Sequence, residues 1–105
     1  MQIQVNSGSN VVVDIALTAF VEDTVNKALD RFADQVTRVE VHLSDVNSER
    51  FGNHDNRCLI EVRPTGRDPV VVTGEASTPG LAVQGAANKM KRLLTSEFGR
   101  LGEKS

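Results

Sequence analysis

Hydrophobic positions change period several times along the chain, and each change marks an element. Ile3 and Val5 alternate with Gln2, Gln4 and Asn6, which predicts a short first strand. Ser7–Asn10 is rich in turn formers, and Asp14 stands as a helix N-cap. Leu17, Val21, Val25, Ala28, Leu29 and Phe32 then recur at helical spacing, with Asp23, Asn26, Lys27, Asp30 and Asp34 largely opposite. The spacing predicts a first helix over 15–34. From Val36 to Ser44 the period falls to two. Val39, Val41 and Leu43 share one face; Arg38, Glu40, His42 and Ser44 share the other. That is the pattern of an antiparallel strand with one dry and one wet side.

Asp45–Asn56 is polar and contains Gly52, so it reads as a long, mobile hairpin loop. Cys58, Ile60 and Val62 point inward from a third strand, and Pro64-Thr65-Gly66 makes a turn. Pro69–Ala76 is a fourth strand, with Val70 and Val72 on one side and Val71, Thr73 and Glu75 on the other. Thr78-Pro79 opens a second helix, a hydroxyl cap followed by proline at the first helical position. Val83, Ala86, Ala87, Met90, Leu94, Phe98 and Leu101 form its apolar stripe over about 79–101, and Gln84, Asn88, Lys91, Arg92 and Thr95 lie away from it. The expected fold is α+β, in the order β-α-β-β-β-α. A four-stranded sheet carries both helices on one face, because every element has just one apolar side to bury.

A chain of 105 residues fits one domain spanning 1–105. No apolar run is long enough to cross a bilayer, and the N-terminus lacks the basic and apolar regions of a signal peptide. Cys58 is the sole cysteine, which fits a reducing, cytoplasmic setting. Trp and Tyr are absent and Phe occurs four times, so an aromatic platform for stacking bases is not expected. The net charge of −2 hides a polarity. Residues 14–35 carry five acids against Lys27 and Arg31, whereas residues 78–105 carry five bases against two acids. Any polyanion would meet the C-terminal segment first.

Candidate chemistry is sparse. His42 and His54 are the only histidines, one on a wet strand face and one in the polar loop, and neither belongs to a converging ligand set. Cys58 occupies an inward strand position, as a packing thiol does. No Gly-rich phosphate loop or nucleophile elbow is present. The chain is therefore read as a binding protein and not an enzyme, without cofactor, metal or small-molecule substrate. Lys89, Lys91 and Arg92 are neighbours around one turn of the second helix. Residue chemistry alone leaves a solvated face and an anion-binding face equally open.

The chain resembles the bacterial ribosome hibernation-promoting factor family, also called ribosome-associated inhibitors or ribosomal subunit-interface proteins, in its short type. The likeness covers about residues 1–94. It runs through Met-Gln-Ile-Gln-Val at the start, Val13-Asp14-Ile15-Ala16-Leu17, Phe20-Val21, Lys27-Ala28-Leu29 and Arg38-Val39-Glu40-Val41-His42-Leu43. It is strongest from Val83 to Leu94, around Asn88-Lys89-Met90-Lys91-Arg92. The resemblance implies a cytoplasmic factor of translation regulation and the stress response. Such a factor binds the small ribosomal subunit in the channel for messenger and transfer RNA and contacts ribosomal RNA phosphates. By position it implies rRNA-binding roles for Lys27, Lys89 and Arg92; local geometry adds Arg31 and Lys91. Thr78 and Gly80 stand where the family has an acid and an aromatic, and Thr95-Ser96-Glu97-Phe98 replaces further cations. The acidic first helix sustains an alternative: a protein-interaction module of the same fold that does not bind ribosomes, with Val71 or Leu59 serving a homodimer. No membrane partner is implied, and neither reading requires a homo-oligomer.

Overall fold

The computed structural model describes residues 1–8, 11–45 and 56–103, with the backbone alone over 99–103. Most of the expected 45–56 loop, including His54, lies outside the described residues, as do Ser9, Asn10 and the last two residues. The elements run β1 (Gln2–Ser7), α1 (Ile15–Leu29), a 3-10 segment (Asp30–Gln35), β2 (Val36–Asp45), β3 (Asn56–Pro64), β4 (Val70–Ala76) and α2 (Pro79–Glu103).

Both helices begin on the side chains that the chain pattern marked. The Asp14 carboxylate accepts from the Leu17 amide at 2.8 Å, and the Thr78 hydroxyl accepts from the Leu81 amide at 3.2 Å. Each bond satisfies one of the amides that a first helical turn leaves without a partner. The end of α1 departs from expectation. The α-helix stops at Leu29, not near 34, and the chain tightens into the 3-10 segment before Val36 enters β2. Leu29 leaves helical geometry with φ −112° and ψ 7°. The tighter turn still buries Phe32 and Val36, so the apolar spacing looks continuous although the helix type changes.

The sheet order is β1-β2-β3-β4. β2, β3 and β4 form the expected antiparallel meander. β1 runs parallel to β2, with Ile3 beside Val39 and Val5 beside Val41. The sheet is therefore mixed: α1 carries the chain back across the sheet, and a helical crossover delivers the next strand parallel to the last.

Both helices cover one sheet face. Val39, Val41 and Leu43 of β2 and Cys58, Ile60 and Val62 of β3 meet Val21, Val25 and Leu29 of α1 and Ala82, Val83, Ala86, Ala87, Met90 and Leu94 of α2, all buried. The approach of α2 to β4 is close enough to dictate residue size. A Cβ on Gly74 would stand 2.7 Å from the Ala82 carbonyl oxygen and 2.8 Å from the Ala86 amide nitrogen. Backbone packs on backbone there, which requires glycine on the strand and alanines on the helix.

The opposite sheet face is wet and its charges are largely spent. Arg38 pairs with Glu40 at 3.7 Å, Arg63 with Glu61 at 3.7 Å and Arg57 with Glu75 at 2.7 Å. On that face Val71 is 51% exposed and Leu59 half-buried.

Candidate nucleic-acid interface

The helical layer presents the other broad surface. α1 and α2 pack side by side on the sheet and leave a groove between them of about 490 Å³. Lys27 and Asp23 line it from α1, and Gln84, Asn88 and Lys91 from α2, with Phe20 against its wall. Gln84, Asn88 and Lys91 follow i, i+4, i+7 spacing, so one polar stripe of α2 faces the groove throughout.

The five cations expected to contact RNA do not form one ridge. Lys27 is exposed and lies 3.1 Å from the Asp23 carboxylate, one helical turn back. Lys91 is exposed on the facing wall. Arg92 is exposed about 100° farther round the helix, outside the groove lining and only about 60° from Lys89. Neither Lys91 nor Arg92 has an ion pair among the described residues. Lys89 is the correction to the expected cluster. At about 100° per residue, Lys89 and Lys91 stand about 160° apart around the helix axis. Lys89 accordingly leaves α2 on the β4 side, where its ammonium donates to the Thr73 carbonyl at 2.8 Å. That acceptor is neutral, so the positive charge remains. Arg31 sits on the 3-10 segment with its guanidinium 5.3 Å from the Phe32 ring centroid, apart from the groove.

The chain pattern did not single out Gln84, Asn88 and Asp23 as groove residues. The α2 stripe was visible as spacing, but nothing in a single helix tells which neighbour it faces. What the groove offers chemically is an ammonium group on each wall, amide donors beside Lys91 and the Asp23 carboxylate beside Lys27, a set that can hold phosphate oxygens and carries no base code.

A second concavity, about 670 Å³, lies where the β3–β4 turn meets α2 and is lined by Pro64, Arg67, Leu94 and Phe98. Its cation is already engaged: Arg67 lies 5.1 Å from the Phe98 ring centroid and 3.4 Å from the Glu97 carboxylate. Burial pushes the Cys58 thiol up to about 12, which leaves it protonated and inert at neutral pH. Among the described residues no group of three or more His, Cys, Asp or Glu side chains could hold a metal. No described helix is long and apolar enough to cross a membrane.

Comparison with known proteins bears on this surface. The N-terminal domain of Thermus thermophilus Protein Y superposes with a TM-score of 0.73 at 23% identity, covering 91% of this chain and 98% of that one. A ribosomal subunit interface protein from Coxiella burnetii superposes with a TM-score of 0.78 at 14% identity, covering 94% and 99%. At these identities the likeness shows the fold. No curated protein matches the chain. The family described as Sigma 54 modulation protein / S30EA ribosomal protein, one of non-enzymatic ribosome-associated factors, matches residues 4–101, and with nearly its whole length matched the chain belongs to that family.

Proposed function

We propose that the chain is a cytoplasmic hibernation factor that binds the small ribosomal subunit in the channel for messenger and transfer RNA. It holds ribosomal RNA phosphates with Lys27, Arg31, Lys89, Lys91 and Arg92 and thereby blocks translation on idle ribosomes. The observation that carries the reading is the placement of Lys27 and Lys91 on opposite walls of one interhelical groove, with Arg92 exposed farther round α2. Family membership supports the ribosome as the target, and the groove supports the contact face. The wet sheet face is the weaker candidate, because all three of its arginines, Arg38, Arg57 and Arg63, face carboxylates, whereas of the proposed contacts on the helical side only Lys27 does and Lys91 and Arg92 have no ion pair among the described residues.

Cosedimentation with purified small subunits at two salt concentrations tests the proposal. Roughly three to five phosphate contacts make the affinity fall by orders of magnitude as salt rises severalfold. Replacing Lys91 and Arg92 together by Glu abolishes pelleting and leaves the melting temperature nearly unchanged, since both are exposed. Extending the variant to Lys89→Glu also removes the bond to Thr73, so the double variant is the cleaner probe. Undiminished pelleting of the double variant refutes this contact face. The second reading, a protein-interaction module, draws on the exposed Val71 of the wet face. It requires no ribosome binding at low salt, together with self-association or a protein partner.

A further inference from the structure

Among the described residues the groove contains one carboxylate, and it sits on a cation that the proposed function needs. Asp23 and Lys27 are one turn apart on α1, 3.1 Å between Oδ2 and Nζ, and both line the groove opposite Lys91. The acid precedes the base by four residues, the favourable order on a helix. Both side chains are well exposed, 60% and 77%, so the pair is loose enough to exchange for a stronger anion.

We infer that Asp23 is an internal stand-in for an RNA phosphate: it occupies Lys27 in the free protein and must be displaced when the groove takes up the RNA backbone. The inference rests on the ribosome reading and adds to it a residue that sets how tightly the groove binds. Asp23 lowers affinity in two ways. Part of the Lys27 charge is neutralised before RNA arrives, so fewer counterions are released on binding. Once displaced, the carboxylate remains in the groove and repels the phosphate beside it. The pair thus keeps binding weaker, with a shallower salt dependence, than an unpaired Lys27 would give. It also gives one member of the acidic first helix a role.

The test compares four forms of the full chain for binding to purified small subunits across a salt series: wild type, Asp23→Asn, Glu22→Gln and the double variant Asp23→Asn/Lys27→Gln. Glu22 is exposed on the same turn but lies outside the groove, and its substitution makes the same change in net charge. Asp23→Asn is expected to bind about three- to tenfold tighter, with a salt slope steeper by about 0.7–0.9. Glu22→Gln is expected to shift affinity less than about twofold, as a screened charge farther from the contact does. The double variant is expected to lose the gain. Equal gains from Asp23→Asn and Glu22→Gln, or a gain that survives without Lys27, overturn the inference while leaving the ribosome reading intact. No binding by wild type at any salt overturns both.

Discussion

The Lys89 ammonium donates to the Thr73 main-chain carbonyl at 2.8 Å, tying α2 to the edge strand of the sheet. β4 pairs with β3 on one side and with no other described strand, so its free backbone groups form an open edge. A lysine laid on such an edge satisfies a carbonyl and places a charge where another strand would dock. Lys89→Met keeps most of the side-chain bulk and removes the donor. It is expected to cost about 0.5–1 kcal/mol in urea unfolding, the net worth of one solvent-accessible hydrogen bond. It is also expected to raise self-association in sedimentation velocity. Unchanged stability together with an unchanged monomer fraction contradicts an edge-capping role.

Two glycines of the β4–α2 region predict opposite outcomes. Gly74→Ala places a methyl 2.7 Å from the Ala82 carbonyl oxygen and 2.8 Å from the Ala86 amide nitrogen, so α2 must lift from the sheet. The expected loss is about 2–3 kcal/mol. Gly85→Ala meets nothing within 4 Å and lies inside α2. The expected gain is about 0.5–1 kcal/mol, because alanine restricts the unfolded chain and favours helix. Chemical denaturation of the two variants checks both signs.

These contrasts show where the sequence was informative. Val39, Val41 and Leu43 read as a buried strand face because one strand, by itself, shows its alternation, and all three are buried. Asp14 and Thr78 read as caps because capping is local, within three residues of the amide it serves. The switch to 3-10 geometry after Leu29 was hidden, because Phe32 lands on the core in either geometry. The parallel partnership of β1 was hidden for another reason: strand direction is a property of the crossover and not of Ile3 or Val5. At the candidate interface, the exposure of Lys27, Lys91 and Arg92 was legible from each helix alone. That Lys27 and Lys91 share a groove was not, since these residues are 64 apart in sequence and their meeting depends on how the two helices are laid side by side. The separation of Lys89 from Lys91 was recoverable from helical geometry, and proximity in sequence obscured it.

The two helix caps are independent devices, one on each helix, and their losses should add. Asp14→Ala removes the acceptor for the Leu17 amide, and Thr78→Ala removes the acceptor for the Leu81 amide. Each is expected to cost about 1 kcal/mol. The double variant is expected to lose the sum within about 0.5 kcal/mol, as sites without shared partners do. A much larger joint loss in thermal or urea unfolding means that the two helices fold as one coupled unit.

The buried Cys58 thiol makes a pH prediction whose sign follows from which form burial disfavours. Desolvation penalises the thiolate, so the group titrates near 12 in the folded chain against 9.0 for an unburied thiol. The unfolded state therefore loses its proton first. Stability from this group is fully present below pH 9.0 and is lost between there and about 12, at up to about 1.4 kcal/mol per pH unit. Wild type alone does not isolate the effect of one thiol. Cys58→Ala does: the variant is less stable near neutral pH, by about 1 kcal/mol for the lost sulfur packing. The gap between the two proteins should then narrow and reverse as pH rises from 9.0 toward 12. A gap that stays constant across that interval means the thiol ionises as readily in the folded chain as in the unfolded one, which a position with 0% exposed surface does not allow.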